Sequence, residues 1–171
     1  VLNREVTPDA WTMERLCFDC PIASPSTVVI GGGLRDATHF DPSIRHGEDW
    51  DLWLRLRMLT EIGMIGEPLA CVRRHQDTQC YYPSSQQNAR RLRDLLSVLA
   101  KLFSRWPEAP DSLQRRAIGW QYAKAALLEA AVGDQEATLH HLEAATALAP
   151  SLLEDCGRFE TAISAHAALL Y

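Results

Sequence analysis

The densest group of side chains able to do chemistry is the run Arg45-His46-Gly47-Glu48-Asp49-Trp50-Asp51-Leu52-Trp53. Three carboxylates within four positions repel one another unless a cation or sugar hydroxyls compensate. A carboxylate within hydrogen-bond reach of a hydroxyl can take its proton as the oxygen attacks, so the run can supply a general base for transfer to an alcohol. Trp50 and Trp53 offer flat apolar faces on which a sugar ring can stack. The same residues also serve plain structural ends. Glu48 and Asp49 suit the positive end of a helix dipole, and both tryptophans fall on an apolar stripe. Spacing alone leaves both uses open.

Other groups carry weaker signals. Cys17-Phe18-Asp19-Cys20 has metal-ligand spacing, and Cys71 with Cys80 would complete four thiolates, a zinc option. The second pair is not spaced as in a zinc knuckle, so buried or free thiols are the favoured expectation. His140 and His141 are neighbours on a helix and diverge by about 100 degrees, a poor geometry for joint chelation. Gly31-Gly32-Gly33 belongs to no GxGxxG or Walker pattern and is expected to be a turn.

The elements that must position these groups fall into two stretches. Residues 21–26 block helix with two prolines and two serines, and Thr27-Val28-Val29-Ile30 then reads as a short β-branched strand. Phe40-Asp41-Pro42-Ser43 reads as a turn. A helix opens at Gly47, with acids in its first turn and an apolar stripe from Trp50 to Leu59. Met64-Ile65 and Leu69-Ala70-Cys71-Val72 are expected to be further extended segments. From Ser84 the pattern becomes helical: residues 86–105, then 112–132 and 135–148 joined by Gly133-Asp134 as a hairpin, then 151–170. The expected fold class is therefore α+β, with residues 1–83 a few strands and a helix and residues 84–171 a helical extension.

Residues 26–30, the run Phe40-Asp41-Pro42-Ser43-Ile44-Arg45-His46-Gly47-Glu48-Asp49-Trp50-Asp51-Leu52-Trp53-Leu54-Arg55-Leu56, then Glu67-Pro68-Leu69 and Arg73-Arg74-His75 strongly resemble family 2 glycosyltransferases of the GT-A type. The resemblance covers about residues 20–78. It implies an inverting transfer of a hexose-type sugar from a nucleotide-sugar donor to a hydroxyl acceptor, with Asp49 as base and Glu48 positioning it. It further implies that Trp50, Trp53 and Asp51 shape the acceptor side. Arg73 and Arg74 would approach the diphosphate, and His75 would complete a site for a divalent cation, Mg or Mn, that stabilises the leaving group. Thr38-His39 stands where the family usually has Gly-Gly. The family's nucleotide-binding half and its Asp-x-Asp metal motif have no counterpart before residue 20. The chain is thus expected to be the acceptor-side half, inactive alone: a fragment of a longer protein, a degenerate relative, or a half that forms a homo-dimer.

The Ala-rich hairpin with Trp120, Tyr122, Ala144 and Ala147-Leu148-Ala149-Pro150 resembles one tetratricopeptide-type unit, without a second copy at a 34-residue period. Its alternative use is a non-catalytic protein-interaction module. Composition bounds the rest. The 171 residues carry 17 Lys and Arg against 22 Asp and Glu, a net charge of −5, which argues against a nucleic-acid partner. No apolar run approaches the roughly 20 residues of a transmembrane helix. Five cysteines, an odd count, fit reduced thiols and a cytoplasmic setting.

Overall fold

The structure, a computed structural model, describes residues 11–22, 24–67, 69–71 and 84–152. The chain divides into two compact units, Val1–His75 and Gln76–Tyr171.

In the first unit a short helix α1 (Met13–Leu16) is capped by Thr12, whose hydroxyl accepts from the amide of Arg15. Two 3-10 helices follow, Pro25–Thr27 and Gly32–Ala37, and then α2 (Glu48–Leu59). The approach to α2 is built by Asp41, which accepts from the amide of Ser43 at 2.9 Å and from its hydroxyl at 2.7 Å. Ile44 then turns into the interior at 5% exposure. Gly47, the residue before α2, has φ +80°, a left-handed conformation that costs a residue with a Cβ about 1 kcal/mol or more. The core of this unit gathers Leu52, Trp53 and Leu56, with Cys20, Ile22, Val28, Ile30, Leu34 and Ala37 packed against them.

The expected α+β fold with short strands is corrected here: the described residues are helical and contain no strand. Thr27 ends a 3-10 helix instead of starting a strand. Val28 does have strand-like dihedrals, φ −109° and ψ 135°. Val28 and Ile30 face the core while Val29 between them is 92% exposed, the alternation of a half-buried strand. The extended backbone is a local property of β-branched residues, but a ladder needs a second row of amides and carbonyls at about 4.8 Å. Among the described residues no such row lies beside residues 28–30, 64–65 or 69–71; Val72 lies outside the described residues. Gly31–Gly33 are likewise part of a 3-10 helix and its entry, not a tight turn.

The second unit is helical throughout its described part. Helix α3 (Ser85–Arg105) starts at Ser84, whose Oγ accepts from the amide of Gln87. It buries Leu92, Val98, Leu99, Leu102 and Phe103, each worth about 2 kcal/mol of hydrophobic stabilisation. Helices α4 (Asp111–Val132) and α5 (Gln135–Leu148) form the hairpin that the Gly133-Asp134 pair indicates. Gly133 closes α4 in the left-handed region at φ +81°, and Asp134 caps α5 by accepting from the amide of Ala137 at 3.0 Å. The two helices approach closely where Gly119 faces Ala145 and Ala149; a Cβ on Gly119 would stand 3.2 Å from the Ala145 carbonyl oxygen. Arg115 ties the free end of α5 to α4 by donating to the carbonyls of Ala147 and Leu148. A 3-10 turn, Pro150–Leu152, seats Leu152 in this core; the remainder of the expected 151–170 helix lies outside the described residues.

Candidate functional site

The first turn of α2 carries Glu48, Asp49 and Asp51, as expected from the sequence, and the fold treats the three differently. Glu48 and Asp49 are half-buried at the helix mouth. Asp49 Oδ1 accepts from the amide of Trp50 at 2.8 Å, using one of the four amides that a helix start leaves without an internal partner. Asp51 is drawn inside, 2% exposed, and its Oδ2 accepts from Arg55 Nε at 2.8 Å. The other guanidinium donors of Arg55 reach the carbonyls of Ala37 and His39, at 3.2 and 2.5 Å. One arginine therefore ties the first turn of α2 to the end of the preceding 3-10 helix.

The tryptophans are core residues. Trp50 is 3% exposed and its indole Nε1 donates to the carbonyl of Leu16 at 2.7 Å, which fixes α1 against α2. Trp53 is also 3% exposed and sits in the Leu52–Leu56 cluster. Neither ring presents a face to solvent for a sugar to stack on. Arg45 and His46 are exposed beside the helix mouth. Arg73, Arg74 and His75 lie outside the described residues. Two hollows form in the second unit, and Asp49 lines neither.

The family models, the curated proteins and the solved structures contain no match to this chain.

The thiols follow burial. Cys17 is fully buried, and burial followed by the charge of Glu14 pushes its pKa up to about 12, so it is a protonated thiol at neutral pH. Cys20 is half-buried and its Sγ donates to the Ile22 carbonyl, while Cys71 is exposed. Cys80 lies outside the described residues. Among the described residues no three His, Cys, Asp or Glu side chains gather as metal ligands. His140 and His141 bring their ring centroids to 5.5 Å, with Tyr122 6.0 Å from His141. Burial and then His140 lower the pKa of His141, against the opposing pull of Glu129 and Asp134.

Sequence reading missed the buried polar groups of the second unit: Asn88 at 5% exposure, Gln121 at 1% and Glu129 at 1%. The signal was present. Asn88 stands four residues before Leu92 on the apolar stripe of α3, and Gln121 lies midway between Ala117 and Ala125 on α4. A polar residue in register with an apolar stripe is either satisfied by a partner or held for one.

Proposed function

We propose that residues 1–83 are the acceptor-side part of a family 2 glycosyltransferase, with residues 84–171 a helical extension. The observation that supports this most is the sorting of carboxylates at the start of α2: Asp51 is locked inside by Arg55, whereas Asp49 stays half-buried at the mouth beside Glu48. In the proposed reaction Asp49 takes the proton of the acceptor hydroxyl, the freed oxygen forms a bond to the anomeric carbon, and the bond from that carbon to the nucleoside diphosphate breaks. Glu48 orients the acceptor. Trp50, Trp53 and Asp51 act at one remove, fixing α2 from inside. A divalent cation, with Arg73, Arg74 and His75, would stabilise the departing diphosphate.

Val29, exposed between the core-facing Val28 and Ile30 and beside no strand among the described residues, supports a further partner surface. The nucleotide-binding half of such an enzyme, or a second copy of the chain, is the proposed cover, and it would wall the hollow that Asp49 needs. A cytoplasmic location belongs to the same proposal; no helix among the described residues is long and apolar enough to cross a membrane.

The test is sugar transfer from nucleotide-sugars by the chain joined to a donor half of this family. Asp49→Asn is expected to abolish turnover with the helical circular dichroism unchanged. Retained turnover removes Asp49 from the reaction.

A further inference from the structure

We propose that the cavity between α3 and α4 is a binding site for one water molecule, which accepts from Asn88 Nδ2 and donates to Gln121 Oε1. Asn88 on α3 is 5% exposed, Gln121 on α4 is 1% exposed, and both line the cavity. Asn88 Nδ2 is buried and donates to no protein acceptor. Gln121 is engaged elsewhere in the chain, yet its buried Oε1 accepts no hydrogen bond from the protein. A buried donor and a buried acceptor in this condition are costly, and two apolar side chains would avoid the cost. One group that serves both atoms at once removes it.

The cavity selects that group by size and by polarity. Its volume of about 20 Å³ exceeds the roughly 10–15 Å³ that a water molecule needs and leaves no room for a second one. An anion could accept from Asn88 but has no proton for Gln121 Oε1, and an ammonium could donate to Gln121 but has no lone pair for Asn88. Water does both. Arg91 and Lys124 also line the cavity, but their heads carry donors only and cannot serve Asn88 Nδ2, and Lys124 is engaged elsewhere. Leu92 and Leu128 supply apolar wall, which confines the water to the two amides. The water thereby joins α3 to α4 through two atoms that do not bond each other. The site lies wholly in the second unit and does not depend on sugar transfer.

The experiment uses the full chain, isotope-labelled for NMR. The assigned side-chain NH2 protons of Asn88 are expected to show NOE and ROE cross-peaks to water of opposite sign, which marks a long-lived bound water; proton exchange gives both the same sign. A double-mutant cycle then asks whether the two amides share that water. Asn88→Leu and Gln121→Leu each leave the other amide without it, whereas the double variant leaves no polar atom to serve. The loss of Tm in the double variant is therefore expected to fall short of the sum of the single losses by about 2 °C or more. Interactions that Gln121 makes elsewhere are lost in both backgrounds and cancel in the cycle. Single losses that add to within about 2 °C overturn the proposal. So does the lack of the water cross-peaks in the unaltered chain, whatever the variants do, and coupling without those cross-peaks assigns a direct bond between Asn88 and Gln121 instead.

Discussion

Asp51 and Arg55, one helical turn apart on α2, meet at 2.8 Å with the carboxylate 2% exposed, and the same guanidinium reaches the carbonyls of Ala37 and His39. The pair is both an ion pair and the clasp that holds α2 to the segment before it. Removing the cation leaves a buried carboxylate and two carbonyls without these donors. Arg55→Met is therefore expected to destabilise the first unit by about 3 kcal/mol in urea unfolding. Asp51→Asn keeps an acceptor for Arg55 and should cost distinctly less. Equal losses for the two variants would show that a neutral acceptor cannot replace the carboxylate and that the clasp depends on its charge.

Packing in the second unit rests on the absence of a side chain at Gly119. A Cβ there already meets Ala145, Leu152 and Ala149 at 3.2–3.3 Å. The two further methyl groups of Gly119→Val must push α5 from α4, with an expected loss of about 2 kcal/mol. Thermal unfolding followed at 222 nm reads it.

Gly133 tests the hairpin turn separately from its packing. Nothing lies within 4 Å of a Cβ at this position, so only its φ of +81° opposes a side chain. Gly133→Ala is expected to cost about 1 kcal/mol, and Gly133→Asn less, since Asn tolerates the left-handed region. Equilibrium denaturation of the two variants ranks them.

The thiols should separate by reactivity. At pH 8 the exposed Cys71 is expected to react with iodoacetamide in the folded chain, and Cys17 only after unfolding. Mass spectrometry of the alkylated peptides distinguishes the two. Linkage adds a second consequence. The folded pKa of Cys17 is raised from 9.0 to about 12, so its contribution to stability is full below pH 9 and is lost as pH rises from there toward 12. Cys17→Ala should flatten that alkaline loss.

His141 gives the opposite slope. Its folded pKa lies below the ordinary 6.5 because burial and His140 disfavour the charged form. The unfolded chain then takes the proton more readily, and the contribution is present above pH 6.5 and lost as pH falls through the folded pKa. His141→Gln is expected to be less sensitive to acid than the unaltered chain between pH 7 and 5, measured by urea unfolding at each pH. An unchanged slope would assign the acid sensitivity elsewhere.

Part of this molecule was settled by local sequence. The starts of α2, α3, α4 and α5 and the ends of the last three follow from caps, glycines, prolines and apolar spacing, because helix hydrogen bonds join residues four apart and need no distant partner; α2 stops at Leu59, short of the Gly63 that the sequence offers as its end. The placement of Glu48 and Asp49 at a helix mouth was legible for the same reason. Tertiary structure decided the rest. Val28 has the strand-like dihedrals, and residues 28–30 the alternation, that their side chains favour, but pairing requires a second segment that local sequence cannot supply. Spacing put Trp50, Asp51 and Trp53 near a possible site, and only packing against Leu16, Arg55 and the first unit's core turned them inward. Asn88 reads as an ordinary polar residue in the sequence, and only the packing of α3 against α4 decided that it is buried.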